Sequence, residues 1–292
     1  MDTSDFRPTV RSVLSGPTRR KREWALATGT FVVLFVVAYW PTIVWLNERA
    51  WAADSYYSHA PLVPFISALL IWLRRRELAD CPISSSPVGL LLILAALFGH
   101  ILGVLAYVNF TSGLTIPVLV FGLSLYLFGT PFTRKVWFPL AFLVFMCPLP
   151  LALLSAVSLP MKLLATRAGA AILDLMGIAV VQDGFKLQFT SASLIVGNPC
   201  SGLRSLIALV ALGTLIAYLY KVSVPRKILL VVLSVPFALL SNIARVTLLG
   251  LIANRFGSEA ATGFAHDLSG GLVFFVALIL LLTAAKVLEW RQ

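Results

Sequence analysis

The sequence predicts an all-α integral membrane protein with about eight transmembrane helices. Hydrophobic residues make up 59% of the 292-residue chain and charged residues only 12%, about half the charged fraction of a typical soluble domain. Apolar runs recur at lengths close to the about 20 residues that a helix needs to cross a hydrocarbon core. The runs are continuous and lack the period-2 alternation of barrel strands, so the spans are predicted to be helices.

The spans are separated by proline, glycine, serine or charged residues. The N-terminal tail, residues 1–23, is basic and precedes an apolar run that is too long for a signal-peptide core. We place the spans at 24–46, 60–73, 88–108, 113–130, 134–150, 203–220, 227–253 and 268–288. After the tail, this divides the chain into a five-span region at 24–150, an outer segment at 151–199, a three-span region at 200–288 and a short tail at 289–292.

The distribution of basic residues predicts that both termini are cytoplasmic. Eight spans put the two chain ends on one side of the membrane. With that topology, 16 of the 23 Lys and Arg residues fall on the side of the termini and 7 on the other, whereas Asp and Glu divide evenly. Lys and Arg collect in cytoplasmic loops. This bias also explains the net charge of +11, so we expect membrane lipid, and not nucleic acid, as a partner.

The outer segment 151–199 differs in kind from the spans. Its first part is rich in Leu and Ala and is interrupted by three charges, Lys162, Arg167 and Asp174. That pattern is typical of an amphipathic helix lying at the membrane interface. A strand-like run at 180–189 follows, with the tight-turn pair Asp183-Gly184 inside it. We predict an outer-face interfacial helix and then a small β-hairpin that leads the chain to Cys200 before the sixth span.

Three residues near the outer face have the chemistry of a catalytic site. Cys200, Arg245 and His266 each lie 18–21 residues from the cytoplasmic lysine of their own span, a rise of roughly 27–32 Å. That is about one hydrocarbon thickness, so all three are predicted at one depth, at the outer interface. Spans that follow one another through short loops are usually neighbours, which allows a shared site.

The residue types suit cysteine-dependent chemistry. A thiol attacks only as the thiolate, which nearby positive charge favours. His266 can move a proton near neutral pH, and Arg245 can donate hydrogen bonds to an oxyanion while keeping its charge. Taken singly, each residue also has an ordinary explanation, as a small apolar side chain, an interfacial anchor or a snorkelling cation. Their combination at one depth favours catalysis.

Four motifs resemble those of the exosortase/archaeosortase family. Residues 198–206, Asn-Pro-Cys-Ser-Gly-Leu-Arg-Ser-Leu, are similar to its Cys-Ser-Gly-x-Arg-Ser motif, and 242–246, Asn-Ile-Ala-Arg-Val, to its Asn-x-x-Arg motif. Residues 266–271, His-Asp-Leu-Ser-Gly-Gly, resemble its histidine motif. Residues 57–64 resemble its Ser-His-Gly segment, with Ala60 where glycine is usual. The resemblance extends from about residue 50 to 288, with the motifs in the expected order.

The resemblance implies a cysteine transpeptidase of the bacterial inner (cytoplasmic) membrane, with its active site facing the periplasm. Its substrates would be membrane-anchored proteins that end in a Pro-Glu-Pro-like motif, a transmembrane helix and a basic cluster. Cys200 would attack the scissile carbonyl to give a thioacyl enzyme, which an outside acceptor or water would resolve. His266 would carry the proton, and Arg245 would stabilise the oxyanion or the thiolate, although these two roles are partly exchangeable.

The remaining site predictions are substrate contacts and one competing base. Arg204, His59 and Asn242 are the predicted substrate-binding residues, with Arg204 meeting an acidic residue of the signal. His59, at the outer end of the second span, is also a second acid/base candidate. The sequence has no HExxH motif, no paired Cys-x-x-Cys and no glycine-rich phosphate loop, so we expect neither a metal nor a cofactor.

Two other functions fit a chain of this composition. A transport or polysaccharide-export component is expected to carry paired charges near the bilayer midplane or inverted repeats, and the sequence shows neither. A non-catalytic membrane scaffold would keep its function after Cys200→Ala, whereas the enzyme would lose it.

Overall fold

The structure, a computed structural model, describes residues 9–10, 18–52, 55–197 and 202–290. It consists of two compact units that divide the chain near Pro148. The first unit comprises Met1–Ala52 and Ser58–Pro148, and the second comprises Ala53–Tyr57 and Leu149–Gln292.

The described helices of the first unit follow the apolar runs of the sequence. They are α1 (Thr18–Trp51), α2 (Leu62–Leu73), α3 (Arg75–Ala79), α4 (Pro87–Leu105), α5 (Asn109–Leu127) and α6 (Thr130–Phe142), followed by a 3-10 turn at Leu143–Met146. Proline stands in the first turn of α4 and of α6, where its fixed φ and missing N–H cost nothing. Arg74, the residue before α3, donates a 2.8 Å hydrogen bond to the carbonyl of Lys135 on α6.

Helices α4 and α5 form a close antiparallel pair through small residues. A Cβ atom at Gly89 would overlap the backbone of Tyr126, and one at Gly103 would lie 2.9 Å from the backbone nitrogen of Ser112. Glycine removes that overlap and lets the two backbones approach, which is the usual basis of helix association in lipid. The connection between the two helices is a tight turn with Tyr107 at φ +56°.

The second unit combines helices with a small sheet. Its helices are α7 (Leu151–Leu175), α8 (Leu203–Leu219), α9 (Val224–Phe256), α10 (Ser258–Thr262) and α11 (Phe264–Trp290). Helix α9 packs against α7, α8, α10 and α11, so it is the central element of the unit. It ends where Gly257 adopts φ +89°, a conformation that favours glycine.

The predicted β-hairpin is present, and a third strand extends it. Strands β1 (Val180–Asp183), β2 (Lys186–Phe189) and β3 (Ser193–Ile195) form an antiparallel sheet in the order β1-β2-β3. Asp183 pairs with Lys186 across a two-residue turn, and Gly184 in that turn has φ +57°. After β3, Val196 donates a 2.8 Å hydrogen bond to the carbonyl of Phe185, which ties the segment before Cys200 to the hairpin turn.

The prediction of eight spans is supported in part. Six described helices are long and apolar enough to cross a membrane, namely α1, α4, α5, α7, α9 and α11. Helices α2 and α8, at two further predicted spans, are apolar but have 12 and 17 residues. The predicted span at 134–150 is instead a 13-residue helix followed by a 3-10 turn, because Cys147 leaves the helical conformation ahead of Pro148-Leu149-Pro150.

Helix α7 forms the first part of the segment that was predicted as an interfacial helix. It is one uninterrupted helix of 25 residues, and it belongs to the six that are long and apolar enough to span. The charge that suggested a solvated face, Lys162, is only 8% exposed. Its Nζ atom lies 4.9 Å from the centre of the Phe185 ring, a cation–π geometry. The burial of this cation inside the unit depends on the neighbouring elements, which the charge pattern of the helix alone does not give.

Candidate functional site

The structure brings two of the three predicted catalytic residues into direct contact. Arg245 lies on α9 and is 8% exposed, and His266 lies in the first turn of α11. Arg245 Nη2 is 3.2 Å from His266 Nε2 and donates a 2.9 Å hydrogen bond to the backbone carbonyl of His266. The contact joins two helices of the second unit, as expected from the common depth of these residues in the sequence.

Ser269 and Gly270, which follow His266 on α11, hold the guanidinium of Arg245 in place. Arg245 Nε donates to Ser269 Oγ at 3.3 Å, and Ser269 Oγ donates to the carbonyl of His266 at 2.8 Å. Ser269 is 3% exposed. A Cβ atom at Gly270 would lie 3.1 Å from Arg245 Nη2, so the guanidinium rests on the bare backbone of α11. Three hydrogen bonds and this close approach leave Arg245 little freedom.

The partner of His266 indicates which ring nitrogen accepts a hydrogen bond in this arrangement. An arginine has only N–H donors and no acceptor, so His266 Nε2 must accept the hydrogen bond from Arg245 Nη2. A neutral imidazole with a lone pair on Nε2 carries its proton on Nδ1. In this hydrogen bond Nε2 is the ring nitrogen that supplies a lone pair, which makes it the candidate proton acceptor of the pair.

Asn242 lies on α9, one helical turn before Arg245. Its side chain packs against Gly202, the residue at the amino end of α8. It is 3% exposed, and its Nδ2 atom has no hydrogen-bond partner within the part of the chain that the structure describes. Gly202, the residue before α8, has φ +71°. A Cβ atom on Gly202 would lie 2.7 Å from Asn242 Cγ, so only glycine fits both the backbone angle and the contact.

The predicted nucleophile Cys200 lies outside the described residues, which stop at Gly197 and resume at Gly202. Arg204, a predicted substrate contact, is exposed in the first turn of α8. Both positions belong to the second unit, which also contains Arg245 and His266.

His59 belongs to the first unit, in the turn that precedes α2. The amide of Leu62 donates a 3.0 Å hydrogen bond to its carbonyl. Burial lowers the pKa of the His59 ring, because a charged imidazole loses hydration inside the protein. A neutral ring is compatible with either of its predicted roles, as a substrate contact or as a base.

Three site residues were not singled out by sequence reasoning: Gly202, Ser269 and Gly270. All three stand inside the quoted motifs, so the signal was present, but their roles depend on contacts between helices. Ser269 orients Arg245, Gly270 makes room for it, and Gly202 makes room for Asn242. Spacing along one helix does not reveal such contacts.

The sequence profile of one protein family, described as "Transmembrane exosortase (Exosortase_EpsH)", matches residues 51–283. The match includes every predicted site residue. No curated protein and no solved structure matches the chain. Together with six helices that are long and apolar enough to cross a membrane, the match identifies a multi-pass membrane protein.

Proposed function

Because this chain belongs to the transmembrane exosortase family, we propose that it is a membrane-embedded cysteine peptidase or transpeptidase. In this proposal it removes C-terminal sorting signals from exported proteins through a thioacyl intermediate. The processed proteins are then transferred from the enzyme to a cell-envelope acceptor. Family membership supports a membrane protease or transpeptidase in general. The observation that carries the finer assignment is the contact between Arg245 and His266, two residues of complementary chemistry from separate motifs.

Gly202 supports the assignment of Cys200 as the nucleophile of the same site. Two peptide units limit the separation of the Cα atoms of Cys200 and Gly202 to about 7.6 Å. Gly202 packs on Asn242, which is three residues, or about one helical turn, before Arg245 on α9. The motif that contains Cys200 therefore contacts, through Gly202, the helix that carries Arg245.

In the proposed first step, His266 Nε2 takes the proton of the Cys200 thiol. This turns Nε2 into a donor that faces the donor Arg245 Nη2, so the two nitrogens can no longer share a hydrogen bond. Both N–H groups then turn to the thiolate, the new anion in the site. Arg245 keeps its hydrogen bonds to the His266 carbonyl and Ser269, which hold the guanidinium as a stabiliser of the sulfur anion.

In the second step, the thiolate attacks the scissile carbonyl and forms a carbon–sulfur bond. The proton held on His266 Nε2 moves to the leaving nitrogen as the carbon–nitrogen bond breaks. The C-terminal part of the signal departs, and the thioacyl enzyme remains. An amine or hydroxyl acceptor, or water, then attacks the thioester and regenerates the Cys200 thiol.

The proposed C-terminal sorting signal of the substrate follows from the family resemblance and from the positive charge of Arg204. The signal would comprise a Pro-Glu-Pro-like motif, a transmembrane helix and a basic cluster, with Arg204 meeting its acidic residue and His59 and Asn242 as further contacts. We place the site on the periplasmic face of the inner membrane with both termini cytoplasmic, because that orientation puts most of the Lys and Arg residues inside.

The test is to trap the intermediate on Cys200. Detergent-solubilised protein is incubated with a membrane-anchored substrate that ends in a Pro-Glu-Pro-type signal, and the adduct is located by mass spectrometry. We expect an acyl adduct on Cys200 in the wild type and none in Cys200→Ala. Loss of processing is also expected in Arg245→Ala and His266→Ala.

Substrate cleavage by folded Cys200→Ala at the wild-type rate would rule out the cysteine mechanism. No cleavage by folded wild-type protein would favour the scaffold or export function instead. Folding is checked in both cases by the thermal unfolding midpoint of each purified variant.

A further inference from the structure

One end of the first unit carries a dense group of exposed cations. Helix α2 ends at Leu73, and Arg75 and Arg76 begin α3 soon after it. Arg134 and Lys135 lie near the start of α6. All four cations are exposed, and together they are called the basic patch.

Hydrogen bonds hold the two halves of the basic patch together. Lys135 Nζ on α6 donates to the carbonyl of Glu77 on α3 at 3.2 Å. In the other direction, Arg74 donates to the carbonyl of Lys135 at 2.8 Å. Helix α2 also packs against α6. The cations of α3 and α6 therefore share one surface of the first unit.

The groups that position two of these cations are neutral. Arg75 donates a 3.1 Å hydrogen bond to the carbonyl of Trp72, and its guanidinium carbon lies 3.9 Å from the centre of the Trp72 ring. Lys135 likewise donates to a backbone carbonyl. A carbonyl or an aromatic face orients a cation but does not cancel its charge. These contacts therefore order the patch and leave it positive.

Two carboxylates near the patch reduce its charge without removing it. Glu77 is on α3, and Asp80 follows that helix. When Arg74 is counted with the basic patch, five cations stand against these two carboxylates in residues 74–80 and 134–135. The surface therefore keeps an excess of positive charge, which favours a ligand of net negative charge.

The surface beside the basic patch is apolar and carries tryptophan. Four side chains of α2 and α6 are each more than half exposed: Leu69, Trp72, Leu73 and Trp137. Tryptophan is enriched where a membrane protein crosses from hydrocarbon to water, and exposed leucine suits the hydrocarbon side of that boundary. The cations thus lie where the headgroup of a lipid would meet a surface that suits its acyl chains.

We propose that the basic patch binds the phosphate of an anionic phospholipid whose acyl chains lie along α2 and α6. Guanidinium groups match the oxygens of a phosphate in a bidentate geometry, and Lys135 adds a compact charge. A free phosphate ion offers the same oxygens but makes no use of the exposed indoles and leucines. The site lies within the first unit, and its test is independent of the proposed catalytic function.

The experiment measures lipid binding to the detergent-solubilised full chain by native mass spectrometry. Phosphatidylglycerol, which is anionic, is compared with zwitterionic phosphatidylcholine of the same acyl chains, at two ionic strengths. We expect wild type to bind phosphatidylglycerol more tightly, with a preference that falls as salt rises. Arg75→Gln/Lys135→Gln should weaken phosphatidylglycerol binding on the order of 10- to 30-fold, with phosphatidylcholine binding unchanged.

Two further variants separate the basic patch from general charge and from folding. Arg255→Gln/Lys286→Gln removes two exposed cations of the second unit, and hence the same net charge; it should bind phosphatidylglycerol like wild type. Arg76→Gln/Arg134→Gln changes the other two cations of the patch and should weaken binding as the first variant does. The unfolding midpoint of each variant in detergent alone checks its folding.

Three results would overturn the inference. Phosphatidylglycerol affinity within about twofold of wild type in both patch variants would exclude the patch as the site. An equal loss in Arg255→Gln/Lys286→Gln would assign the binding to the overall charge of the protein. Displacement of phosphatidylglycerol by inorganic phosphate at matched ionic strength would make a free phosphate, and not a lipid, the ligand of these cations.

Discussion

Each of the two units buries a polar network, but the two networks differ in how their donors are used. In the first unit, a cluster of hydroxyl and imidazole groups joins α1, α4 and α5; its members are Tyr39, Thr42, His100, Ser112 and Thr115. In the second unit, hydrogen bonds among Arg245, His266 and Ser269 join α9 and α11, and Asn242 lies one helical turn before Arg245 on α9, against Gly202. The first network is closed, and the second retains donor capacity.

The hydrogen bonds of the first network run in one consistent direction. His100 Nε2 lies 3.1 Å from the carbonyl of Ala38, which can only accept, so the proton is on Nε2. His100 Nδ1 then accepts from Ser112 Oγ at 2.7 Å, and Ser112 in turn accepts from Thr42. Likewise Thr115 donates to the carbonyl of Ser112 and accepts from Tyr39 at 3.0 Å.

The second network cannot be closed in the same way. Arg245 brings a fixed positive charge into a buried place, and Asn242 Nδ2 lacks a partner in the described chain. Of the two clusters, the second is therefore the one that contains, at Asn242, a buried donor without a partner among the described residues. The second cluster thus differs from the first in its buried cation and in this unpartnered amide.

The largest effect is expected from removing the buried charge of the second unit. Arg245→Gln keeps N–H donors but loses the positive charge and the planar fork. We expect processing to fall on the order of 10³-fold and the ionisation of Cys200, read from its alkylation rate against pH, to move to higher pH. Arg245→Lys keeps the charge but not the planar fork, so its processing rate should lie between those of wild type and Arg245→Gln.

The matched control for Arg245 is Arg255→Gln, which removes an exposed arginine in the last turn of the same helix. It should leave both the rate and the alkylation profile unchanged. An Arg245→Gln protein with the wild-type alkylation profile would show that Arg245 does not stabilise the thiolate.

Sequence reasoning predicted the membrane class and the β-hairpin, because these depend on local patterns. Composition and run length indicate helices in lipid, and Asp183-Gly184 is a tight-turn signal. It did not predict that α7 is a long apolar helix with Lys162 buried, or that α6 ends at Phe142. Both depend on which neighbours cover a side chain or stop a helix, and periodicity in one segment carries no such information.

Within the site, sequence reasoning could match the depth of Arg245 and His266 but not their lateral contact. The guanidinium of Arg245 reaches His266 because Ser269 accepts a hydrogen bond from it and Gly270 has no side chain in its way. The closed network of the first unit was also missed, because its hydrogen bonds join residues of three separate helices. Hydrogen-bond direction is a property of the assembled helices.

A smaller effect, on stability alone, is expected from opening the closed network. Ser112→Ala leaves His100 Nδ1 and Thr42 without their partner in a buried place. We expect a loss of about 1–2 kcal/mol, seen as a fall of a few degrees in the unfolding midpoint, with the rate of acylation unchanged. A fall in acylation without a fall in the midpoint would mean that the first unit takes part in the chemistry.

The smallest effect is a pH dependence in the first unit. Burial lowers the pKa of His59 below the value of about 6.5 that the ring has in the unfolded chain. The unfolded chain therefore binds the proton more tightly than the folded protein does. The neutral His59 ring consequently favours the folded state above about pH 6.5, and this stabilisation is lost as the pH falls below that value. The unfolding midpoint of wild type should drop between neutral and mildly acidic pH, and His59→Gln should drop less. An equal dependence of the unfolding midpoint on pH in the two proteins would contradict this prediction. It would show that His59 can take up a proton in the folded protein, as an acid or base must.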